Sequence, residues 1–195
     1  VLFKFLNIKF VKKIYDFNVG KPQYHFLDFS PTGRVPVLYD DSIVVWDSLA
    51  ICEHISERHP GVWPANATAR AFARSVVAEM HSGFFALRAE RKLDAGQTAE
   101  PKAPSEALPK DIDRLNAIFN EGIEKFGGPW LAGDKFTIAD AFFSPISTRV
   151  KTYGIELEGA AKDYMNRLFD HPAVQDWVQD AMNEEGIPGL GSAMN

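Results

Sequence analysis

Cysteine is almost absent from this sequence, whose 195 residues include only Cys52. A single cysteine excludes an internal disulfide and is typical of a reducing compartment, so a cytoplasmic location is expected. The Cys-x-x-Cys motif of disulfide oxidoreductases is also missing. Cys52 lies on the apolar side of a predicted helix, which favours a buried structural thiol over a redox nucleophile.

Long apolar runs are missing as well. No run approaches the ~18 apolar residues of a membrane-spanning helix, and four lysines interrupt the segment 1–17, so it does not form the core of a signal peptide. The formal net charge of −5 gives no reason to expect nucleic acid or an anionic membrane as a partner. We therefore expect neither among the partners of this protein.

The sequence also has few of the patterns that mark metal or nucleotide chemistry. It contains neither a phosphate-binding glycine loop nor a Gly-x-Ser-x-Gly nucleophile motif. His81 is interpreted either as a satisfied helical histidine or as a residue that lines a cleft. No metal site is expected, because the histidines lack the paired spacing of metal ligands; they are His25, His54, His59, His81 and His171.

Hydrophobic residues make up 46% of the chain and aromatic residues 12%, enough for a sizeable core. The length allows one large domain or two small ones. Residues 61–66 form a connector with proline and glycine, after which the pattern becomes helical. We predict a first domain over residues 1–60, an all-helical domain over 65–185 and a tail over 186–195.

The stretch from Ser30 to Arg58 is the part around which the rest is predicted to be arranged. Residues 35–39 and 43–46 are β-branched and apolar, and a short polar break separates them, which predicts a β-hairpin. Pro36 is the second residue of the first run, where the missing N–H of proline is tolerated because the strand is only beginning. A cis peptide bond before Pro36 would fit a sharp turn of the chain into this strand. A helix with three- and four-residue apolar spacing follows.

Asp47 and Ser48 stand where the second strand ends and this helix begins. From local sequence alone, an ordinary helix N-cap is the favoured interpretation. The alternative is a binding site, since a helix N-terminus suits a carboxylate. The Ser48 hydroxyl could add a hydrogen bond to that carboxylate, and Asp47 could hold an ammonium group. The α-carboxylate and α-ammonium groups of a free amino acid end carry these two charges side by side.

Two separate motifs carry a resemblance to a known family. PTGRVPVL at 31–38, followed by WDSLAI at 46–51, resembles the glutathione-binding half of a glutathione S-transferase. LAGD at 131–134, followed by FTIADA at 136–141, resembles the folding motif of the second domain of these proteins. Asp140 is therefore expected to be structural and not a catalytic acid.

The resemblance implies roles for five residues. The backbone of Val35 would bond the cysteinyl part of glutathione, and Pro36 would follow a cis peptide bond. Asp47 and Ser48 would hold the γ-glutamyl end, although Asp47 replaces the commoner glutamate of the family. Arg34 would approach the ligand. Glutathione is thus the expected co-substrate, and no metal is expected.

The resemblance also implies a fold class: an α/β thioredoxin-like N-terminal domain followed by an all-α helical bundle. In that fold the first strand precedes the first helix, whereas here Val1 begins inside what should be that helix. We predict a strand over Lys9–Phe17 and expect the natural protein to have residues before Val1. Those residues would supply the Tyr, Ser or Cys that activates the thiol, so the catalytic residue is unknown in this chain.

The remaining segments are predicted to be helical, apart from a Pro/Ala/Gly/Glu loop at 94–109. One long amphipathic helix is expected from Ala73 to Leu87. Thr137 to Asp140 form a capping box that opens another helix. An apolar second-substrate pocket is expected beside the first long helix, although such residues are more often core; its candidates are His81, Phe84, Phe85 and Arg88.

The function that the resemblance implies is conjugation of the glutathione thiolate to a hydrophobic electrophile, usually by a homodimer. Two alternatives stay open. One is a glutathione-dependent isomerase of the maleylacetoacetate isomerase type. The other is a non-enzymatic member of the family that serves as a binding or regulatory protein.

Overall fold

A computed structural model describes residues 1–17, 21–95 and 103–183 of the chain. Its N-terminal part contains a two-stranded antiparallel sheet among short helices. The thioredoxin-like and helical fold class predicted from the sequence is confirmed. The elements of this part are helix α1 (Leu2–Phe5), a 3₁₀ helix (Tyr24–Asp28), strands β1 (Val37–Asp40) and β2 (Ile43–Trp46), and helix α2 (Ser48–Ser56).

The predicted hairpin is present. Val37 pairs with Trp46 and Asp40 pairs with Ile43, so the strands are in register along their whole length. Asp41 in the connecting turn has a φ of 53°, a left-handed conformation that aspartate tolerates better than most residues. The Val35–Pro36 peptide bond is cis, as predicted.

The strand predicted over Lys9–Phe17 is wrong, because residues 8–17 have no regular secondary structure. The apolar and β-branched residues of this segment gave the prediction, but a strand also needs a hydrogen-bonding neighbour. The sheet of the described residues has only β1 and β2, which pair with each other. The regular structure that follows this segment is the 3₁₀ helix Tyr24–Asp28.

The C-terminal part is helical in the described residues. Its helices pack mainly as α3 on α6, α5 on α7 and α6 on α7, while α1 of the N-terminal part contacts α8. Phe119, Phe143 and Tyr164 form the buried aromatic centre of this bundle, with ring centroids 5.0 to 5.3 Å from Phe119. The helices are α3 (Ala67–Ser82), α4 (Phe85–Glu90), α5 (Ala107–Phe126), α6 (Ile138–Tyr153), α7 (Ala160–Phe169) and α8 (Pro172–Asn183).

The single long helix predicted from Ala73 to Leu87 is wrong, since the chain leaves the helix at Gly83 and starts α4 at Phe85. Phe84 adopts a left-handed conformation with a φ of 58° and is buried. A Cβ at Gly83 would lie 2.7 Å from the carbonyl oxygen of Glu79. The apolar spacing continues across this break, which explains why periodicity alone did not detect it.

Asp140 is the buried polar centre of the C-terminal part. Its carboxylate accepts hydrogen bonds from the Leu131 N–H (3.0 Å), the Thr137 N–H (2.7 Å), the Thr137 hydroxyl (3.0 Å) and the Tyr164 hydroxyl (2.9 Å). Burial raises the pKa of Asp140, while the four donated bonds oppose that shift. The predicted capping box is present, and the structural interpretation of Asp140 is confirmed.

Two predicted segments fall partly or wholly outside the described residues. Residues 96–102 of the loop expected at 94–109 lie outside them, and so does the whole tail expected over 186–195. The proposed division into domains at residues 60 and 65 stays a prediction.

We expect Asp140→Ala to lower the free energy of unfolding by about 3 kcal/mol or more, because it leaves several buried donors without an acceptor. Tyr164→Phe should cost only about 1 kcal/mol, since it removes one donor and the carboxylate keeps three. Urea unfolding of both variants measures the difference. A loss below 1 kcal/mol for Asp140→Ala would contradict this assignment.

The surroundings of His171 predict that the free energy of unfolding depends on pH. Its ring lies against Phe5, Trp130 and Phe136, and its Nδ1 accepts a hydrogen bond from the Ala173 N–H at the start of α8. Burial lowers the pKa of His171 below its usual value. The unfolded chain therefore takes up this proton at a higher pH than the folded chain, and stability falls as the pH drops below about 6.5.

The measurement is the urea midpoint at several pH values between 7.5 and 5 for the wild type and His171→Asn. Asparagine keeps an acceptor for the Ala173 N–H but does not titrate, so the variant should lose less stability on acidification. Parallel curves for the two proteins would show that His171 does not contribute.

Candidate functional site

The pairing of β1 with β2 brings the two halves of the predicted site together. Val35 and Pro36 lie just before β1, and Asp47 and Ser48 lie just after β2. Because Val37 is paired with Trp46, both pairs of residues stand at the same end of the hairpin. A single binding site that uses all four of these residues requires this juxtaposition.

Asp47 connects three parts of the molecule. Its Oδ1 accepts hydrogen bonds from the N–H groups of Leu49 (2.8 Å) and Ala50 (3.3 Å), so it caps α2. Its Oδ2 lies 2.9 Å from Nε2 of His81 in the last turn of α3. Asp47 has a φ of 76°, a conformation that non-glycine residues rarely adopt outside turns and functional sites.

Ser48 is the first residue of α2 and is half-buried. Within the described residues, neither its hydroxyl nor its backbone N–H has a hydrogen-bond partner. Both groups stand at a helix N-terminus, where the backbone dipoles favour a negative charge. The two unused donors and the dipole make Ser48 suited to bind a carboxylate.

The loop that leads to Val35 is held by a buried serine that sequence reasoning missed. Ser30 accepts a hydrogen bond from the Arg34 N–H (3.1 Å) and donates one from its hydroxyl to the Arg34 carbonyl (2.6 Å). The side chains of Arg34 and Val35 remain exposed. The serine directly before Pro31 is the signal in the sequence, but serine and proline are also typical of an ordinary turn.

Val35 presents its backbone to the same end of the hairpin. Its N–H and C=O make no hydrogen bond to another described residue. A backbone amide and carbonyl that are both unpaired beside a strand can pair with an extended peptide.

The four residues predicted to form a second-substrate pocket do not share one surface. Phe84 is buried in the hydrophobic core, with 6% of its surface exposed, whereas Phe85 is 75% exposed. Arg88 donates to the carbonyl of Met80 at the end of α3. The structure therefore assigns Phe84 to the core, and a pocket formed by His81, Phe85 and Arg88 stays a prediction.

Cys52 is buried on α2, and burial raises the pKa of its thiol to about 12. The buried position expected for Cys52 is confirmed, and the raised pKa of its thiol favours the structural interpretation over a redox nucleophile. The described residues include no cluster of three or more side chains able to hold a metal ion. None of the described helices combines the length and apolar character needed to cross a membrane.

Comparison with protein families adds to this geometry. Residues 1–58 match the family model of the glutathione S-transferase N-terminal domain. Residues 77–185, more than half of the chain, match that of the glutathione S-transferase C-terminal domain. The chain belongs to the glutathione S-transferase family.

Relatives within the glutathione S-transferase family carry different names. The stringent starvation protein A homolog of Pasteurella multocida is 26% identical over 80% of this chain and 74% of its own length. The glutathione S-transferase GstA of Escherichia coli O157:H7 is also 26% identical, over 81% of this chain and 77% of its own. A glutathione transferase homolog from Burkholderia, solved with bound glutathione, is 27% identical with a TM-score of 0.58, covering 80% of this chain and 77% of that one.

The cap of α2 predicts a stability difference between two Asp47 variants. Asp47→Ala should lower the free energy of unfolding by about 1 to 2 kcal/mol, because it removes the acceptor for two backbone N–H groups. Asp47→Asn should cost about 0.5 kcal/mol or less, since it keeps an acceptor and tolerates a positive φ. Urea unfolding at neutral pH compares them, and equal losses would show that the hydrogen bonds to Leu49 and Ala50 do not stabilise α2.

Proposed function

We propose that the end of the hairpin binds glutathione. The backbone N–H and C=O of Val35 pair with the cysteinyl residue of the tripeptide, which lies alongside β1 in an extended conformation. The γ-glutamyl end reaches Asp47 and Ser48. The observation that carries this proposal is the Val37–Trp46 pairing, which puts an unpaired backbone and a helix N-terminus side by side.

The charges of this end of the hairpin fit the γ-glutamyl group. Its carboxylate would accept hydrogen bonds from the N–H and hydroxyl of Ser48 at the positive end of α2. Its ammonium would lie at Oδ2 of Asp47, since a carboxylate oxygen can accept more than one hydrogen bond. The exposed guanidinium of Arg34 offers a cation for the second carboxylate of glutathione, at the glycyl end.

The activity that we propose is transfer of the glutathione thiolate to a hydrophobic electrophile. With an aryl chloride, sulfur forms a bond to the ring carbon and chloride leaves with the electron pair of the broken bond. The thiol proton passes to solvent before the attack. A group that lowers the pKa of the thiol would increase the fraction of thiolate at neutral pH. Such an electrophile would lie beside His81, Phe85 and Arg88.

A second candidate is a glutathione-binding protein that does not turn over substrate. It stays open because a stringent starvation protein A homolog, whose name states no transferase activity, and a glutathione S-transferase match this chain with the same 26% identity. Calorimetry with glutathione and a conjugation assay with a chloronitroarene separate the two candidates. Binding together with product supports the transferase, and binding without product supports the second candidate.

The isomerase alternative and the expected homodimer need their own measurements. Turnover of a cis-dienone acid by the protein with glutathione would support an isomerase. Light scattering would test the dimer, in which the resemblance places α2 and α3 near the two-fold axis. The cytoplasmic location also stays a prediction.

We expect Ser48→Ala to raise the dissociation constant for glutathione about tenfold, the loss of one hydrogen bond to a charged group. Its stability should change by less than about 0.5 kcal/mol, because the hydroxyl makes no hydrogen bond within the described protein. Calorimetry and thermal unfolding measure the two effects. A large loss of stability with unaltered affinity would show that Ser48 serves the helix and not the ligand.

Two controls sharpen this test. Ser56→Ala removes a hydroxyl at the far end of α2, where it donates to the Glu53 carbonyl at 2.7 Å, and it should leave affinity unchanged. Cysteinylglycine lacks the γ-glutamyl group, so Ser48→Ala should not alter its weaker binding. An equal effect of Ser48→Ala on both ligands would contradict the placement of the γ-glutamyl end.

A further inference from the structure

We infer that Ser30 is a positioning residue of the glutathione site, whose hydroxyl aims the N–H of Val35 at the carbonyl of the cysteinyl residue. The inference rests on the proposed function and deepens it. Ser30 does not meet the ligand in this arrangement and acts only through the peptide group between Arg34 and Val35. Its two hydrogen bonds, the geometry of that peptide group and the anchoring of Ser30 itself support this role.

The first observation is that the Ser30 hydroxyl bonds both backbone groups of Arg34. It donates to the Arg34 carbonyl at 2.6 Å and accepts from the Arg34 N–H at 3.1 Å. A hydroxyl has a single proton to donate, which leaves the Thr32 hydroxyl, 3.4 Å away, as the donor of the third contact. The two bonds restrain the backbone of Arg34 on both sides of its Cα atom.

The second observation is that the carbonyl bound by Ser30 belongs to the same peptide group as the N–H of Val35. This peptide bond is trans, and a trans peptide is planar, with its C=O and N–H pointing in opposite directions. Because the carbonyl points toward Ser30, which is 1% exposed, the N–H points away from the interior. It has no partner among the described residues. A hydrogen bond to the carbonyl also polarises the peptide group and strengthens its N–H as a donor.

The third observation is that Ser30 is itself held in place. Its N–H donates to the carbonyl of Phe26 in the 3₁₀ helix at 2.8 Å, and its carbonyl accepts from the N–H of Gly33 at 3.1 Å. Phe26 is buried. Gly33 has a φ of 63°, and a Cβ there would lie 3.2 Å from the Leu27 side chain. A hydroxyl on a backbone restrained in this way can keep a neighbouring group in one orientation, as a preorganised site requires.

A plain structural role for Ser30, in which it only ties down the loop 29–36, predicts something different. Tyr39 of β1 supplies the comparison, because its hydroxyl donates to the Phe29 carbonyl at 2.5 Å. It attaches the same loop to the hairpin but does not bond the peptide group of Val35. Tyr39→Phe and Ser30→Ala each delete one hydroxyl oxygen, so the first variant is a matched control for the second.

The experiment is calorimetry of the intact protein with glutathione and two shorter ligands. γ-Glutamylcysteine amide keeps the cysteinyl carbonyl and γ-glutamylcysteamine lacks it, while neither carries the glycyl carboxylate. For Ser30→Ala we expect the dissociation constants of glutathione and of the amide to rise about fivefold, the loss of one neutral hydrogen bond. The dissociation constant of γ-glutamylcysteamine should change less than about twofold, because this ligand offers no carbonyl to Val35.

Tyr39→Phe should leave all three dissociation constants within about twofold of the wild type, even where it lowers the unfolding temperature. Every titration contains sucrose, which favours the folded state. Near-ultraviolet circular dichroism compares the tertiary packing of the two variants with that of the wild type. A general loosening of the loop would weaken the two shorter ligands alike, so the difference between them reports on the N–H of Val35.

A second measurement needs no variant to fold. In NMR spectra of the isotope-labelled wild type, glutathione and γ-glutamylcysteine amide should move the amide proton of Val35 downfield, because each places a carbonyl against it. γ-Glutamylcysteamine should move this signal much less. Equal movements with all three ligands would show that the N–H of Val35 does not meet the cysteinyl carbonyl, and the role of Ser30 would be overturned.

The outcomes of calorimetry are distinguishable. If the wild type does not bind glutathione, the proposed function is wrong and this inference falls with it. If the wild type binds glutathione and Ser30→Ala binds it equally well, only the role of Ser30 is overturned. The same holds if Ser30→Ala weakens both shorter ligands equally, or if Tyr39→Phe causes the same selective loss.

Discussion

The carboxylate of Asp47 is the interaction on which the candidate site depends. One oxygen caps α2 and so fixes the direction in which the N-terminus of that helix points. The other oxygen reaches His81 on α3, which links the hairpin to the helical part of the chain. This side chain therefore contributes both to the local geometry of the site and to the contact between the hairpin and α3. Asp47 makes both contacts from a backbone conformation with a positive φ of 76°.

The helical part depends on a different carboxylate, that of Asp140. It is fully buried and binds the loop before α6, the start of α6 and a tyrosine of α7. The two aspartates show how surroundings decide the role of one residue type. Asp140 has its hydrogen-bonding capacity filled by the protein, whereas Asp47 is partly exposed and keeps an oxygen within reach of a ligand.

Much of this architecture could be predicted from the sequence, because it follows from local patterns. Residues close together in the chain specify most helices, the hairpin, the helix N-cap at Asp47 and the capping box at Asp140. The absence of a strand at Lys9–Phe17 could not be predicted in the same way, because it depends on whether a neighbouring strand is present to pair with it. The break at Gly83 could not be predicted from periodicity either, because the apolar spacing continues across it. The contact of His81 with Asp47 spans 34 positions of sequence, and no periodic pattern marks it. The hydrogen bonds of the buried Ser30 could not be predicted, because a serine before a proline does not indicate which backbone groups its hydroxyl will contact.

The turn between the two strands has a consequence for how the chain can change over time. Alternate residues of a strand point to opposite faces, so an insertion of one residue beside Asp41 would turn every later side chain of β2 over. It would also shift the start of α2 away from the peptide bond before Pro36. Insertions and deletions should therefore be much rarer in this short turn than its exposure to solvent suggests. Its length, more than its composition, is what the distant end of the hairpin requires.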